Sequence, residues 1–274
     1  MKPAPFDYLP CSSKGEALAC LAQYGDEAAI LAGGQSLTAI LNMRMADPRV
    51  LADIGRIAAL STISSDEVQT TIGAGVTQAA AMRHLQIQTN VPLAARALPH
   101  IGHYQTRNRG TICGSLAHGD PAAELPLIAC VLNADINLES IHDSRSVSAQ
   151  DFFEGPLQTC RRDDEIVASV SFAHAKHGEA YGFNEVAMRH GDFAITAVAV
   201  KLTSTSITIG IGGGPDKPEI REWPALDGSA LDDALNGLAW EMEFQSDFQA
   251  SSMYRRRMVR AIGRKTVAEA RQCL

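Results

Sequence analysis

The chain has 274 residues, 46% of them hydrophobic, and 24 Lys and Arg against 31 Asp and Glu give a formal net charge of −7. This length allows two domains or one large one, the apolar fraction is that of an ordinary globular protein, and the negative charge argues against a broad nucleic-acid-binding face. No stretch approaches the ~20 apolar residues of a membrane span, and the first residues, Met1-Lys2-Pro3-Ala4-Pro5, lack the apolar core of a signal peptide, so a cytoplasmic protein is expected.

In chain order, Ser13-Lys14-Gly15-Glu16 has capping-box spacing and predicts a helix through Leu18 and Leu21 that ends near Gly25. Residues 28–32 read as a short strand running into Gly33-Gly34, followed by a helix over 36–43 and a strand over 50–54, a β-α-β pattern. Residues 68–72 alternate like a strand, Thr77 caps a helix to about Gln86, and Pro92 opens another over 93–98. A loop is expected over 108–120, then a helix over 122–132, a strand over 134–138 and a turn at 151–156. From there the character changes: 166–172, 180–188, 196–202 and 206–211 read as successive strands of an antiparallel meander, stopped by Gly212-Gly213-Gly214-Pro215. Two helices follow, roughly 231–244 and 252–270, and the composition shift near 165–175 suggests a domain boundary.

Two glycine-rich segments carry the chemistry. One is Ala32-Gly33-Gly34-Gln35-Ser36-Leu37, and the other is Arg107-Asn108-Arg109-Gly110-Thr111-Ile112-Cys113-Gly114-Ser115-Leu116, followed by Ala117-His118-Gly119-Asp120-Pro121. Glycine lets backbone N–H groups approach an anion closely, and neighbouring hydroxyls add donors, so two such loops facing each other suit a pyrophosphate and hence a dinucleotide. Neither segment is the G-x-G-x-x-G fingerprint or a Walker A loop, which argues against a standard NAD site and against nucleoside triphosphate hydrolysis. Arg107 and Arg109 fit either charge neutralisation or surface contact. Asp120 and Glu124 fit either acceptors for ribose or ribityl hydroxyls or carboxylates at a helix start. Six scattered cysteines form no C-x-x-C, His100, His103 and His118 complete no ligand pattern, and no metal site is expected. No catalytic dyad or triad is visible, and the run Arg255-Arg256-Arg257 reads as a solvated or interface face of a helix.

Taken together, these segments resemble the FAD-binding medium subunits of the molybdenum hydroxylases, the xanthine dehydrogenase and carbon monoxide dehydrogenase family. The resemblance runs from Ala32–Leu37 through Leu51-Ala52-Asp53-Ile54, Ile72-Gly73-Ala74-Gly75, Gln105 to Pro121 and Arg189-His190-Gly191-Asp192-Phe193-Ala194 to Tyr254-Arg255. It implies an α+β fold: a FAD-binding domain of the vanillyl-alcohol-oxidase/para-cresol-methylhydroxylase type over 1–172, in subdomains of about 1–56 and 57–172, and a C-terminal domain over 173–274 with an antiparallel sheet and helices. It implies non-covalent FAD gripped by Ala32, Gly33, Gly34, Gln35, Ser36 and Leu37 and by Thr111, Ile112, Cys113, Gly114 and Ser115, with further contacts at Ile101, Asp120, Glu124 and Leu202 and with Phe193 close to the isoalloxazine. Cys113 stands where the family usually has Gly, which suits backbone donors if the position does not need positive φ. His103 replaces the usual Asp.

The implied role is electron output. A large partner subunit would carry molybdopterin, a small partner two [2Fe–2S] clusters, in a heterotrimer often paired into a hexamer, and electrons would leave this chain's FAD for an external acceptor. The same fold also suits a stand-alone FAD-dependent reductase or oxidase, which would need its own substrate arginines and proton donor.

Overall fold

In a computed structural model, which describes residues 2–274, the chain opens with β1 (Asp7–Pro10), α1 (Lys14–Tyr24), β2 (Ala28–Leu31), α2 (Leu37–Met43) and β3 (Val50–Asp53). The predicted capping box forms around α1: Ser13 Oγ accepts from the Glu16 N–H at 3.2 Å, and Glu16 reaches back to the Ser12 N–H at 2.7 Å. The three strands make a parallel sheet in the order β1-β3-β2. The predicted β-α-β unit is present, and β1 adds a strand whose residues are all exposed and therefore give no alternation to read.

The second part contains β4 (Ile63–Ser65), β5 (Gln69–Gly73), α3 (Gln78–Arg83), α4 (Leu85–Asn90), α5 (Pro92–Ala97), α6 (Tyr104–Arg107), α7 (Ile112–His118), α8 (Glu124–Val131), β6 (Asp135–Glu139), β7 (Ser144–Ser148), α9 (Ala149–Phe152), β8 (Phe153–Gly155), β9 (Gln158–Thr159) and β10 (Ile166–Ala173). Thr77 caps α3 as expected, but the helix breaks at an extended His84, so one predicted helix is two. The expected loop over 108–120 is largely helical: Thr111 Oγ1 accepts from the Gly114 N–H at 3.0 Å, and Gly119 ends α7 in the left-handed conformation. The expected turn at 151–156 is the end of α9 and the start of a small hairpin, β8 with β9.

Strand β10 also departs from the expected order. It does not begin the C-terminal meander but sits at the centre of a five-stranded antiparallel sheet, β4-β5-β10-β6-β7. An eight-residue strand buried on both faces reads the same from sequence whichever sheet receives it.

The rest comprises β11 (Ala180–Val186), β12 (Thr196–Leu202), β13 (Ser206–Gly212), β14 (Glu219–Pro224), α10 (Gly228–Glu241) and α11 (Ser252–Arg271). The strands form an antiparallel meander in sequence order, and β14, half-exposed and charged, extends it past the glycines expected to stop it. Strand β12 serves two cores. Ala197 and Ala199 face the core shared with α5, α7 and α8, whereas Val198, Val200 and Leu202 face the core formed with α10 and α11. Helix α8 is buried at every residue, as a helix wedged between layers must be. The Arg255–Arg257 run is not a uniform solvated face: Arg255 is buried, Arg256 stacks on Trp240 with 4.8 Å to the ring centroid, and Arg257 is exposed.

Candidate functional site

The two glycine segments meet. A Cβ on Gly33 would lie 2.2 Å from the Arg109 carbonyl oxygen and 2.7 Å from Gly110 Cα, so only glycine lets the first loop rest on the second. Gly34 follows at φ +72°, which turns the chain into α2. Among the described residues nothing accepts from the backbone N–H groups of Gly34, Gln35, Ser36 and Leu37, because the first turn of α2 has no intrahelical acceptors for them. The hydroxyls of Ser36 and Ser115 make no side-chain cap.

These loops border a cavity of about 550 Å³, within the ~300–1,000 Å³ range of small-molecule sites. Its walls come from the first loop, from α7, from Ile166 and Val167 of β10 and from the 191–193 loop. Ala32, Gly33, Gly34, Gln35, Ser36 and Leu37 of the first segment and Thr111, Cys113, Gly114 and Ser115 of the second all line it. Ile101, Asp120, Glu124 and Phe193 line the cavity as well. Phe193 is 53% exposed, an aromatic ring left at the cavity mouth without a packed core behind it.

Two of the residues expected at the site are not brought to it. Ile112, 1% exposed, packs into the core beneath α7. Leu202 lies in the core with α10 and α11, because strand alternation turns even-numbered residues of β12 away from the cavity side. Cys113 lies within α7 without positive φ, so the departure from glycine costs no backbone geometry. Its thiol is pushed up to about 12 by burial and turns to the Ile72 carbonyl, which leaves only its backbone for the cavity.

Several lining residues gave no sequence signal. Gln78 is 5% exposed, its N–H is bound to the Gly110 carbonyl at 2.8 Å, and its Oε1 is buried without a partner. Arg161 lines the far end, with Nη1 donating to the carbonyls of Arg162 and Glu165 at 2.8 Å each. Beside it, Glu165 is clamped by the Arg145 fork at 2.7 and 2.9 Å. These positions fall in stretches with no motif, and only the fold carries them to the wall.

The electrostatics divide the site. Asp120 Oδ1 accepts from the Ala122 N–H at 2.8 Å. Glu124, 4% exposed, is pushed up to about 8, first by burial and then by the Glu185 charge. His100 is raised above its ordinary value by its hydrogen bond to Glu185, Nδ1 to Oε1 at 3.2 Å. Among the described residues no group of three or more His, Cys, Asp and Glu is arranged to hold a metal, and no helix is long and apolar enough to cross a membrane.

A cavity of this size with a row of open N–H donors, free hydroxyls and an orphan acceptor suits a dinucleotide, and FAD fits this donor set. Comparison with known proteins agrees. The family described as the FAD binding domain in molybdopterin dehydrogenase matches residues 4–174. The chain is 33% identical over 257 residues to the nicotine 6-hydroxylase medium subunit of Paenarthrobacter nicotinovorans, covering 89% of this chain and 90% of that one. It is 33% identical over 209 residues to the carbon monoxide dehydrogenase medium chain of Hydrogenophaga pseudoflava, covering 76% and 73%. Among solved structures, reconstituted CO dehydrogenase from Oligotropha carboxidovorans superposes with a TM-score of 0.94 at 30% identity over 98% of this chain and 99% of that one. Quinoline 2-oxidoreductase from Pseudomonas putida 86 gives 0.92 at 29% identity over 99% of each. With the glycine loops, the cavity and these likenesses in agreement, the chain belongs to the FAD-binding medium subunits of the molybdenum hydroxylases, an oxidoreductase family.

Proposed function

We propose that this subunit is the electron outlet of its enzyme, receiving electrons from [2Fe–2S] clusters of a small partner and passing them through FAD to an external acceptor. A large molybdopterin-binding partner would carry out the hydroxylation, in a cytoplasmic heterotrimer or a pair of them. Bound FAD supplies the redox chemistry, and the chain supplies grip, orientation and shielding. The observation that carries the reading is the contact of Gly33 with Arg109 and Gly110, which brings both glycine segments to one cavity, where the N–H groups of Gly34 to Leu37 and of Cys113 have no acceptor among the described residues. In this reading the N–H groups of Gly34 to Leu37 and of Cys113, with the hydroxyls of Ser36, Thr111 and Ser115, hold the pyrophosphate. Asp120 and Glu124 meet ribityl or flavin polar atoms, and Phe193 screens the flavin at the mouth.

The test is an absorption spectrum and a gel of the native complex purified through this chain. Flavin absorbance near ~450 nm overlain by iron–sulfur absorbance, with a large and a small partner, is the expected result. Flavin with this chain alone would move the reading to a stand-alone FAD reductase or oxidase, and a colourless chain would overturn the cofactor assignment.

A further inference from the structure

Glu124 is the one acidic side chain on the cavity wall with neither a cation nor a fixed donor outside its own residue. The elements packed around α8 explain why. Strand β13 carries no charged residue. Lys201 of β12 is paired with Glu179 at 2.8 Å, and Arg221 of β14 with Glu219, while Glu222 of β14 is exposed. Arg96 of α5 reaches away to Cys273, and Asp151 of α9 is bonded to the Ser148 hydroxyl at 2.7 Å. His118 of α7 and Asp192 of the 191–193 loop also border the cavity. What does act on Glu124 is acidic on balance: Asp120 on the preceding loop and Glu185 on β11, with His100 as the only opposing charge. Yet His100 already serves Glu185, whose second oxygen, Oε2, is buried without a partner. His190 stands behind it, 6.5 Å from His100 between ring centroids.

A carboxylate in such a place, 4% exposed and beside two other acids, has no stabilising partner beyond its own backbone N–H at the helix start and a His100 already engaged by Glu185. A carboxylic acid does, provided that its O–H has an acceptor, and the only space in front of it is the cavity. We propose that Glu124 meets FAD as a neutral acid, donating its proton in a hydrogen bond to the cofactor, and that Glu185 and His100 are positioning residues that keep it in that form. This rests on the assignment of the cavity to FAD. It reverses the acceptor role that the sequence suggests for Glu124, and it makes cofactor retention sensitive to alkaline pH. FAD brings two pyrophosphate charges, so loss of the Glu124 proton removes a donor and adds a like charge to the site.

The sign follows from linkage. If FAD binds the protonated form, affinity is level below the value of about 8 at which Glu124 ionises and weakens above it, by up to about tenfold in Kd per pH unit. The same linkage acts on the apo-protein. Glu124 is raised in the fold relative to the unfolded chain, so its contribution to stability declines as pH rises from the ordinary carboxyl range toward about 8.

The experiment is a fluorescence titration of the apo-subunit with FAD from pH 6.5 to 9, on the wild type, Glu124→Gln and Glu185→Gln. The wild-type Kd is expected to rise severalfold across the upper part of this range. Glutamine, a neutral donor that cannot ionise, is expected to give a level Kd, and Glu185→Gln to move the rise to lower pH by removing the charge that opposes ionisation. Thermal unfolding of the apo-proteins is expected to show Glu124→Gln gaining on the wild type as pH rises from 5 to 8. A level wild-type Kd, or an equal rise in Glu124→Gln, overturns the inference while leaving the FAD assignment intact. Absence of FAD binding by the wild type at every pH overturns the assignment itself, and the inference with it.

Discussion

At the scale of the residue, Gly33 is the most constrained position in the site. Its missing side chain is the space in which the Arg109 carbonyl sits. Gly33→Ala must push the two glycine segments apart by a sizeable fraction of an ångström, at a cost of about 1–3 kcal/mol. The expected result is a folded protein with FAD affinity lowered at least tenfold, read by flavin content after gel filtration and by calorimetric titration. Wild-type flavin content would show that the loop contact does not shape the site. The importance of Gly33 and Gly34 was legible in the sequence, since two glycines after a strand and beside hydroxyls point to backbone donors. That of Gln78 and Arg161 was not, because nothing in an isolated Gln or Arg says which wall it will reach.

At the scale of the element, α11 holds the loop that carries Phe193. Arg255 donates through Nη1 to the carbonyls of Ile195, at 2.6 Å, and Gly213, and through Nη2 to Asp247 at 2.6 Å. Read from sequence, three consecutive arginines splay around a helix and read as a solvated or interface face. Burial of the first reflects a tertiary demand, the carbonyls of Ile195 and Gly213 at the ends of β12 and β13, that helical periodicity cannot reveal. Arg255→Ala leaves the Gly213 carbonyl without a donor and Asp247 without its cation and is expected to cost about 3 kcal/mol, seen as a lower Tm and as faster proteolysis within 189–195. Lysine should not rescue it, since one ammonium cannot reproduce the fork. If the loop stays protected in the alanine variant, Arg255 does not anchor it. Helix α7 shows the opposite failure of sequence reading: Thr, Cys, Gly and Ser are indifferent helix formers, so the segment looked like a loop until its cap and tertiary contacts were in place.

For the whole molecule, the boundary near residue 172 separates sheets but not cores. Tyr181, Phe183, Ala197 and Ala199, all beyond it, belong to the same buried cluster as α5, α7 and α8. A fragment ending at residue 174 would leave α8 with one apolar face in water. It is expected to aggregate or to remain loosely packed and flavin-free, judged by solubility and by near-ultraviolet circular dichroism. A soluble, cooperatively unfolding, flavin-loaded fragment would show that the first domain is autonomous. The order of the strands from 180 to 211 was legible in the sequence, whereas β14 and the sharing of β12 between two cores were not, because β14 is half-exposed and charged and apolar residues occupy both faces of β12.

The contact of Gly33 with Arg109 and Gly110 has one more consequence. It ties a small parallel sheet, too slight to be stable alone, to the larger body across the cavity that we assign to FAD. A ligand spanning that seam acts as a rivet, and by mass action it adds about 2.7 kcal/mol when present at a hundred times its Kd. A shortage of this vitamin-derived compound is therefore expected to shorten the lifetime of the chain, by leaving the two parts of the fold without the ligand that joins them.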